Sequence, residues 1–400
     1  MAHPMCERIA LSAGTLLVAL AVTGSAGPAP AQGQPGRIVA VADIHGSLSG
    51  LTQILRAAGI VDGANAWIGG NARLVQTGDF LDRGADVRQV MDLLMRLESE
   101  ARRGGGSVEV LFGNHEGMNL LHDFRDVAPG AYAAFADRRS DERRRRAFDA
   151  HAALARRAGE RLEQEAWMAA HPPGYVEYVE ALAPRGRYGR WIRSRKVAVQ
   201  IDGTLFMHAG LPPDTTQSLE EINRTVEREI RTWDGIVDAL VRQRSITRTF
   251  RVQEIVNAAQ VEIGRIALAQ RAGEPLGDHV TPVLLEGLQH MERIDTWALI
   301  SPGGPLWYRG LATLPADAGP DVEALLRRFG AQRAFLGHTP QLPGRVNTRF
   351  EGRVILGDTG MLSDFYKGGR PAAVELQGDQ VTAIYTSGRE PLTAENTGTR

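Results

Sequence analysis

Leu111-Phe112-Gly113-Asn114-His115-Glu116, taken with Ala42-Asp43-Ile44-His45-Gly46 and Gly78-Asp79-Phe80-Leu81-Asp82-Arg83-Gly84, decides how this chain is read. Each segment follows a short run rich in aliphatic residues (Ile38 to Val41, Leu74 to Thr77, Val108 to Phe112) and ends in hard-metal ligands beside a glycine. Such runs read as strands, and open α/β sheets build their sites at the carboxyl ends of parallel strands. A lone Asp-Ile-His-Gly or Gly-Asn-His-Glu is a weak signal. Three such segments in succession, each at an expected strand end, carry the argument together.

Outward from these segments the pattern is α/β. Ser49 to Ala58 holds Leu51, Ile54 and Leu55 at helical spacing, and Asp86 to about Arg102 holds Val87, Val90, Leu93, Leu94 and Leu97 on one stripe, ended by Gly104-Gly105-Gly106. Strand signals lapse over residues 118–195, where a helix over about Asp137 to Ala170 and a short one over Tyr175 to Leu182 read as an inserted cap. The Arg143-Arg144-Arg145-Arg146 run alternates with Glu142, Glu160, Glu163 and Glu165, which marks a solvated helix face and not a phosphate patch. Lys196 to His208 reads as a hairpin turning at Asp202-Gly203 and handing His208 to a strand end. A second helical insertion, about 215–295, is expected to pack over the sheets. Ala334 to Leu336 then ends in Gly337-His338, and Val354 to Leu356 in Gly357-Asp358; Ala373 to Leu376 and Val381 to Tyr385 are the last expected strands, with a mobile tail after Ser387.

Composition sets the limits. Four hundred residues at 43% hydrophobic with a formal charge of −1 describe a globular chain with a large core, and exclude a nucleic-acid binder that works by net charge. Arg8, the apolar run Ile9 to Val22 and the Ala29-Pro30-Ala31 site predict a signal peptide over 1–31, and hence an exported, periplasmic mature chain with its domain over 37–390. The apolar run falls short of the about 20 residues that span a bilayer, so an uncleaved anchor is the lesser alternative. Cys6 lies inside the expected peptide, leaving the mature chain without cysteine.

The candidate ligands Asp43, His45, Asp79, Asn114, His208 and His338 offer carboxylate, imidazole and amide oxygen, and no thiol. That set suits two divalent ions, Mn before Fe or Zn. Asp79 is the natural bridge, with Asp43 and His45 on one ion and Asn114, His208 and His338 on the other. Two ions about 3.5–4 Å apart can share a hydroxide and clamp a phosphoryl group for in-line attack. His115 is fixed beside a ligand, strand geometry turning it away from Asn114, and can act as general acid if Asp82 holds its tautomer. Arg83 and Arg309 can present bidentate forks to phosphate, a salt-bridged structural arginine being the alternative for Arg309. His122, His151, His171, His279 and His290 lack partnered spacing and read as surface or satisfied residues; Trp167, Trp191 and Trp233 read as packing.

At Gly78 to Gly84 and Gly113 to Glu116 the chain resembles the calcineurin-like metallophosphoesterases and, within them, the phosphoprotein phosphatases; the first motif departs only in having Ala42 where the family has glycine. Asn114 to Leu121, Arg185 to Trp191, Pro305 to Gly310, Gly337 to Pro340 and Asp358 to Met361 resemble the Shewanella-like branch, while the eukaryotic enzymes' carboxy-terminal tyrosine loop has no counterpart in the sequence. The resemblance implies a mixed-sheet β-sandwich flanked by helices. It also implies a metal-dependent phosphomonoesterase acting on a phosphoprotein or a small phosphomonoester, with the site residues in the roles argued above. Two other functions stay open at this point: a nucleotide or diadenosine polyphosphate hydrolase, and a non-catalytic phospho-ligand binding protein. No nucleic-acid partner and no stable membrane insertion after cleavage are expected, and the oligomeric state is not set by the sequence.

Overall fold

The computed structural model describes residues 36–277 and 280–392; the expected signal peptide, Cys6 and His279 lie outside the described residues. The first units alternate strand and helix as the periodicity predicts: β1 (Ile38–Val41), α1 (Leu48–Ala57), β2 (Arg73–Gln76), α2 (Val87–Arg103) and β3 (Ser107–Val110). Ser47 caps α1 by accepting from the Gly50 amide, and α2 buries Val87, Val90, Leu94 and Leu97 along one stripe. A helical stretch follows: α3 (Asn114–Leu120), α4 (Pro129–Ala133), α5 (Ser140–Arg157), α6 (Gln164–Ala170), α7 (Tyr175–Leu182) and α8 (Arg187–Arg193). The hairpin β4 (Ala198–Ile201) and β5 (Thr204–Met207) precedes α9 (Leu219–Arg242), α10 (Val252–Ala272) and α11 (Pro282–Met291). After α12 (Gly310–Thr313) and α13 (Gly319–Arg328) come β6 (Arg333–Leu336), β7 (Asn347–Arg349), β8 (Val354–Leu356), β9 (Ala372–Gln377), β10 (Gln380–Tyr385) and β11 (Gly388–Pro391).

Two mixed sheets result, ordered β11-β10-β9-β1-β2-β3 and β4-β5-β6-β8-β7. Alternation sorts the side chains. Ile38, Ala40 and Val75 share a buried cluster with Phe206, Phe335 and Ile355 of the other sheet, while Val39, Val41 and Leu74 join the helix-side core with Ile54 and Leu94. Strands buried on both faces read as near-continuous apolar runs. In one sheet Val41, Gln76 and Val110 are in parallel register, and in the other Met207, Leu336 and Leu356. The residues following those six positions therefore emerge at one level from each sheet.

Four expectations are corrected. The helix over Asp137 to Ala170 is two helices, because Gly159 sits at φ +78 between α5 and α6, a conformation that ends a right-handed helix. The second insertion does not all pack over the sheets: α9 lies on β4, where Asn223 bonds the Val197 and Ala198 amides, whereas α10 and α11 pack mainly on α9 and on each other. The tail after Ser387 is corrected over its first part, since Gly388–Pro391 pairs antiparallel with β10, while 393–400 lie outside the described residues; an edge strand ending in proline carries little of the β pattern that sequence reading uses. The polar β7 was likewise not expected. Among the described residues no helix is long and apolar enough to cross a membrane.

Candidate active site

The strand ends deliver the donors. Asp43 follows β1, Asp79 follows β2, Asn114 follows β3, His208 follows β5 and His338 follows β6, and all five are buried. Turning these residues inward strains the backbone: His45, Asp79, Asp82, Arg83 and His338 all have positive φ, a conformation that costs non-glycine residues energy and clusters at functional sites. The loops pass so closely that a Cβ on Gly113 would lie 2.3 Å from Asp79 Oδ1, and one on Gly337 would lie 2.2 Å from Asp43 Oδ1. Those glycines are required by the approach of backbone to ligand.

His208 shows what the cluster is suited to hold. Its Nδ1 donates to the Thr77 carbonyl at 3.0 Å, so the neutral ring presents a bare lone pair at Nε2. Facing that lone pair are Asn114 Oδ1 at 2.7 Å, His338 Nδ1 at 3.1 Å and Asp79 Oδ2 at 3.4 Å. His45 is built the same way: Nδ1 bonds the Leu81 carbonyl at 3.0 Å, and Nε2 lies 3.6 Å from Asp79 Oδ2 and 3.8 Å from Asp43 Oδ2. Burial holds His45 and His208 well below the usual imidazole range, and burial with the Arg309 charge takes His338 down to about 3. Two neutral imidazoles, His45 and His208, thus aim lone pairs at carboxylate oxygens with His338 Nδ1 close beside, an arrangement that is repulsive by itself and favourable around cations. In the carboxylates the strain is electrostatic too. Burial, then Asp358 and Asp79, raise Asp43 well above the carboxylate range. The Arg83 guanidinium, 2.5 Å from His45 Nε2, supplies one positive charge at the edge of this set.

His115 faces Asp79 from the other side, Nε2 to Oδ2 at 3.8 Å, and its Nδ1 bonds Asp82 Oδ2 at 2.7 Å. Against the opposing effect of burial, the Asp79 charge and the Asp82 bond push the imidazole up to about 9. Its orientation differs from the sequence reading in one respect. Asn114 and His115 open helix α3 and are not strand residues, so a helical turn, not strand alternation, separates their side chains.

Arg83 and Arg309 both reach a cavity of about 250 Å³ that also exposes Asp79, Asn114, His115, His338, Trp307, Phe365 and Tyr366. Arg309 donates to the His338 carbonyl at 2.5 Å and to Thr339 Oγ1 at 3.2 Å, which holds it at the rim. All ten residues of the sequence-level site (Asp43, His45, Asp79, Asp82, Arg83, Asn114, His115, His208, Arg309 and His338) are brought to this one place.

Other residues of the site were not assigned from sequence. Glu116 accepts from the amides of Asp79, Phe80, Leu81 and Gly113, fixing the Asp79 loop from beneath. Asp358, after β8, is buried and raised to about 6, chiefly by burial, with Oδ1 taking the Gly360 amide. Leu356-Gly357-Asp358 repeats the strand-glycine-carboxylate signal and could have been found. Tyr366, bonded to Arg83 and lining the cavity, brings a tyrosine of the carboxy-terminal part of the chain to the site, and nothing local in the sequence announces it. Among the unassigned histidines, His122 bonds the Phe250 carbonyl and His151 bonds Trp167 and Glu254, whereas Nε2 of buried His171 has no hydrogen-bond partner among the described residues.

Residues 36–342 match the family of the calcineurin-like phosphoesterases. The chain belongs to that family. An uncharacterised Schizosaccharomyces pombe protein is 29% identical over 360 residues, covering 88% of this chain and 81% of its own. Shewanella-like protein phosphatase 2 of Arabidopsis thaliana is 42% identical over 94 residues, about a quarter (24%) of each chain. A cold-active protein-tyrosine phosphatase of a psychrophilic Shewanella shares the fold, with a TM-score of 0.58 at 21% identity over 90% of this chain and 81% of that one. Membership of that family makes this chain a metallophosphoesterase, and the family implies divalent ions, for which the Asp and His groups of the site are suitable ligands.

Proposed function

We propose that the protein hydrolyses phosphomonoesters, aryl phosphates such as phosphotyrosine foremost, with His115 as the general acid. Asp43, His45 and Asp79 would hold one divalent ion, and Asp79, Asn114, His208 and His338 a second. Bound there, the ions, manganese first among Mn, Fe and Zn, supply an activated water and neutralise phosphate oxygens. The chain's own groups do the rest. Arg83 and Arg309, on the walls of the cavity, bind the phosphoryl oxygens. Asp82 keeps the His115 proton donor at Nε2, pointed into the cavity, where it protonates the departing oxygen. Trp307, Phe365 and Tyr366 line the same cavity with aromatic faces, which favours a flat leaving group, and the similarity to a protein-tyrosine phosphatase supports the same substrate class. Export to the periplasm is part of this reading and rests on the amino-terminal sequence pattern alone.

The observation that carries the reading is the Asp82-held His115 beside a cluster of converging lone pairs, since binding a phosphate needs no oriented acid. The test is metal analysis of the purified protein with turnover of phosphoserine, phosphothreonine and phosphotyrosine peptides, 4-nitrophenyl phosphate and diadenosine tetraphosphate, with and without manganese. Two ions per chain, metal-dependent turnover and preference for phosphotyrosine and nitrophenyl phosphate are expected. Preference for the dinucleotide would replace the substrate class. Bound phosphate without turnover would replace catalysis by binding.

A further inference from the structure

The hydrogen bonds behind His115 continue past Asp82. Asn119 on α3 donates through Nδ2 to Asp82 Oδ1 at 2.8 Å and to the His115 carbonyl at 2.9 Å, which uses both amide hydrogens. Its Oδ1 accepts from the Tyr178 hydroxyl at 2.7 Å. With both donors and the acceptor engaged, the amide has one orientation. The Asp82 side chain is 0% exposed, and among the described residues its carboxylate bonds only His115 and Asn119.

Tyr178 comes from α7, in the inserted cap, 59 residues beyond Asn119. Its ring is clamped edge-on by Phe124, Tyr132 and Phe135 at centroid distances of 6.0, 5.2 and 5.3 Å. Burial pushes its phenol well above the ordinary range, so the hydroxyl stays a proton donor. Asp82, by contrast, sits in a loop at φ +66, a conformation its own backbone does not favour. The orientation of that carboxylate is imposed from outside the loop.

We infer that Asn119 and Tyr178 are positioning residues for the acid: the cap, through the Tyr178 hydroxyl and the Asn119 amide, fixes the Asp82 carboxylate and thereby aims His115 Nε2 at the leaving oxygen. The inference rests on the acid role proposed for His115. Groups that orient a reacting group through hydrogen bonds act on rate by alignment, and removing such outer partners costs about 10- to 100-fold. The loss grows with the need for a proton, because a basic leaving group must be protonated as it departs and an activated one need not be.

The experiment compares phenyl phosphate with 2,4-dinitrophenyl phosphate in four proteins: the unaltered chain, Tyr178→Phe, His115→Asn and the double variant. Tyr178→Phe keeps the clamped ring and removes only the hydroxyl. The expected result is a kcat loss of about tenfold on phenyl phosphate and at most about twofold on the activated ester, with KM, metal content and melting temperature unchanged. In the His115→Asn background the same substitution should cost nothing, since a group that acts through the acid has no effect once the acid is gone. Asn119→Ala should repeat the pattern more strongly. Equal losses on both esters, or an equal cost in both backgrounds, would mean that Tyr178 only packs the cap, and the inference falls while the acid stands. If His115→Asn itself lowers both esters equally, the acid assignment fails first and takes this inference with it.

Discussion

The two sides of the site are built differently. The donor side, Asp43, Asp79, Asn114, His208 and His338, hangs from the carboxyl ends of strands in two sheets whose parallel register sets them at matching levels. The proposed acid side, His115 with Asp82, Asn119 and Tyr178, is assembled from α3, a strained loop and a cap helix by side-chain hydrogen bonds. On the first side the backbone fixes geometry and the problem is charge, with buried carboxylates and lone pairs facing one another. On the second the charges are matched and the problem is direction. On the roles proposed above, cation holding and proton delivery lean on separate parts of the fold, and substitutions should divide them.

The largest effect should come from the residue both sides touch. Asp79→Asn removes the carboxylate that faces His45, His115 and His208, and should lower kcat/KM by more than about 10³-fold, the scale on which lost preorganised electrostatic stabilisation acts. Metal analysis should show both ions reduced; full metal content with full activity would refute the bridging role. Asp82→Asn should fall on one side only. It should cost about 10²-fold in kcat, at the lower end of acid–base effects, with metal content near normal. Loss of metal in that variant would mean the two sides are not separable. Asp358→Asn comes next, because Asp358 bears on Asp43 from behind; about 10-fold weaker metal binding is expected in a chelator titration, with kcat at saturating metal little changed.

How much of this could be read in the sequence follows the same division. Asp43, Asp79 and Asn114 were legible because an aliphatic run, a glycine and a hard donor are neighbours in the chain. His208 and His338 obeyed the same rule more weakly, and Asp358 obeyed it without being given a role. Asn119, Tyr178 and Tyr366 carry no local signature: each matters through a partner far away in the chain, with 59 residues between Asn119 and Tyr178 and 283 between Arg83 and Tyr366. The helical cap was recognisable by its loss of strand signals, yet its break at Gly159 and the existence of α8 depend on packing that periodicity does not encode. Beyond the Asp82–His115 pair, which the motifs announced, the direction-setting contacts are tertiary, and local pattern is blind to them.

The smallest predicted effect tests whether the cap is an independent support. His171, at the end of α6, stacks on Trp167 at 3.9 Å, donates from Nδ1 to the Trp167 carbonyl at 2.7 Å and has a buried Nε2 without a hydrogen-bond partner among the described residues. Burial lowers it to about 4, the bond to the Trp167 carbonyl opposing that shift; Arg251 and His151 push in the same direction as burial, and Glu254 against it. The unfolded chain binds a proton at this residue near pH 6.5, while the folded chain holds it neutral until about pH 4. Between those values the unfolded state carries more protons, so stability is full above about pH 6.5, declines as pH falls toward 4 and is flat below. Allowing for solvent screening, the decline attributable to this group is on the order of 1–2 kcal/mol. Urea denaturation between pH 7 and 4 should therefore show a shallower slope in His171→Asn, whose side-chain amide can still donate to the Trp167 carbonyl. The proposed metal ligands are untouched by that change, so metal affinity at pH 7 should stay as it was. A slope identical to that of the unaltered chain would mean that the cap's response to acid lies elsewhere. A weaker metal site at pH 7 would mean that cap and donor side are one cooperative unit after all.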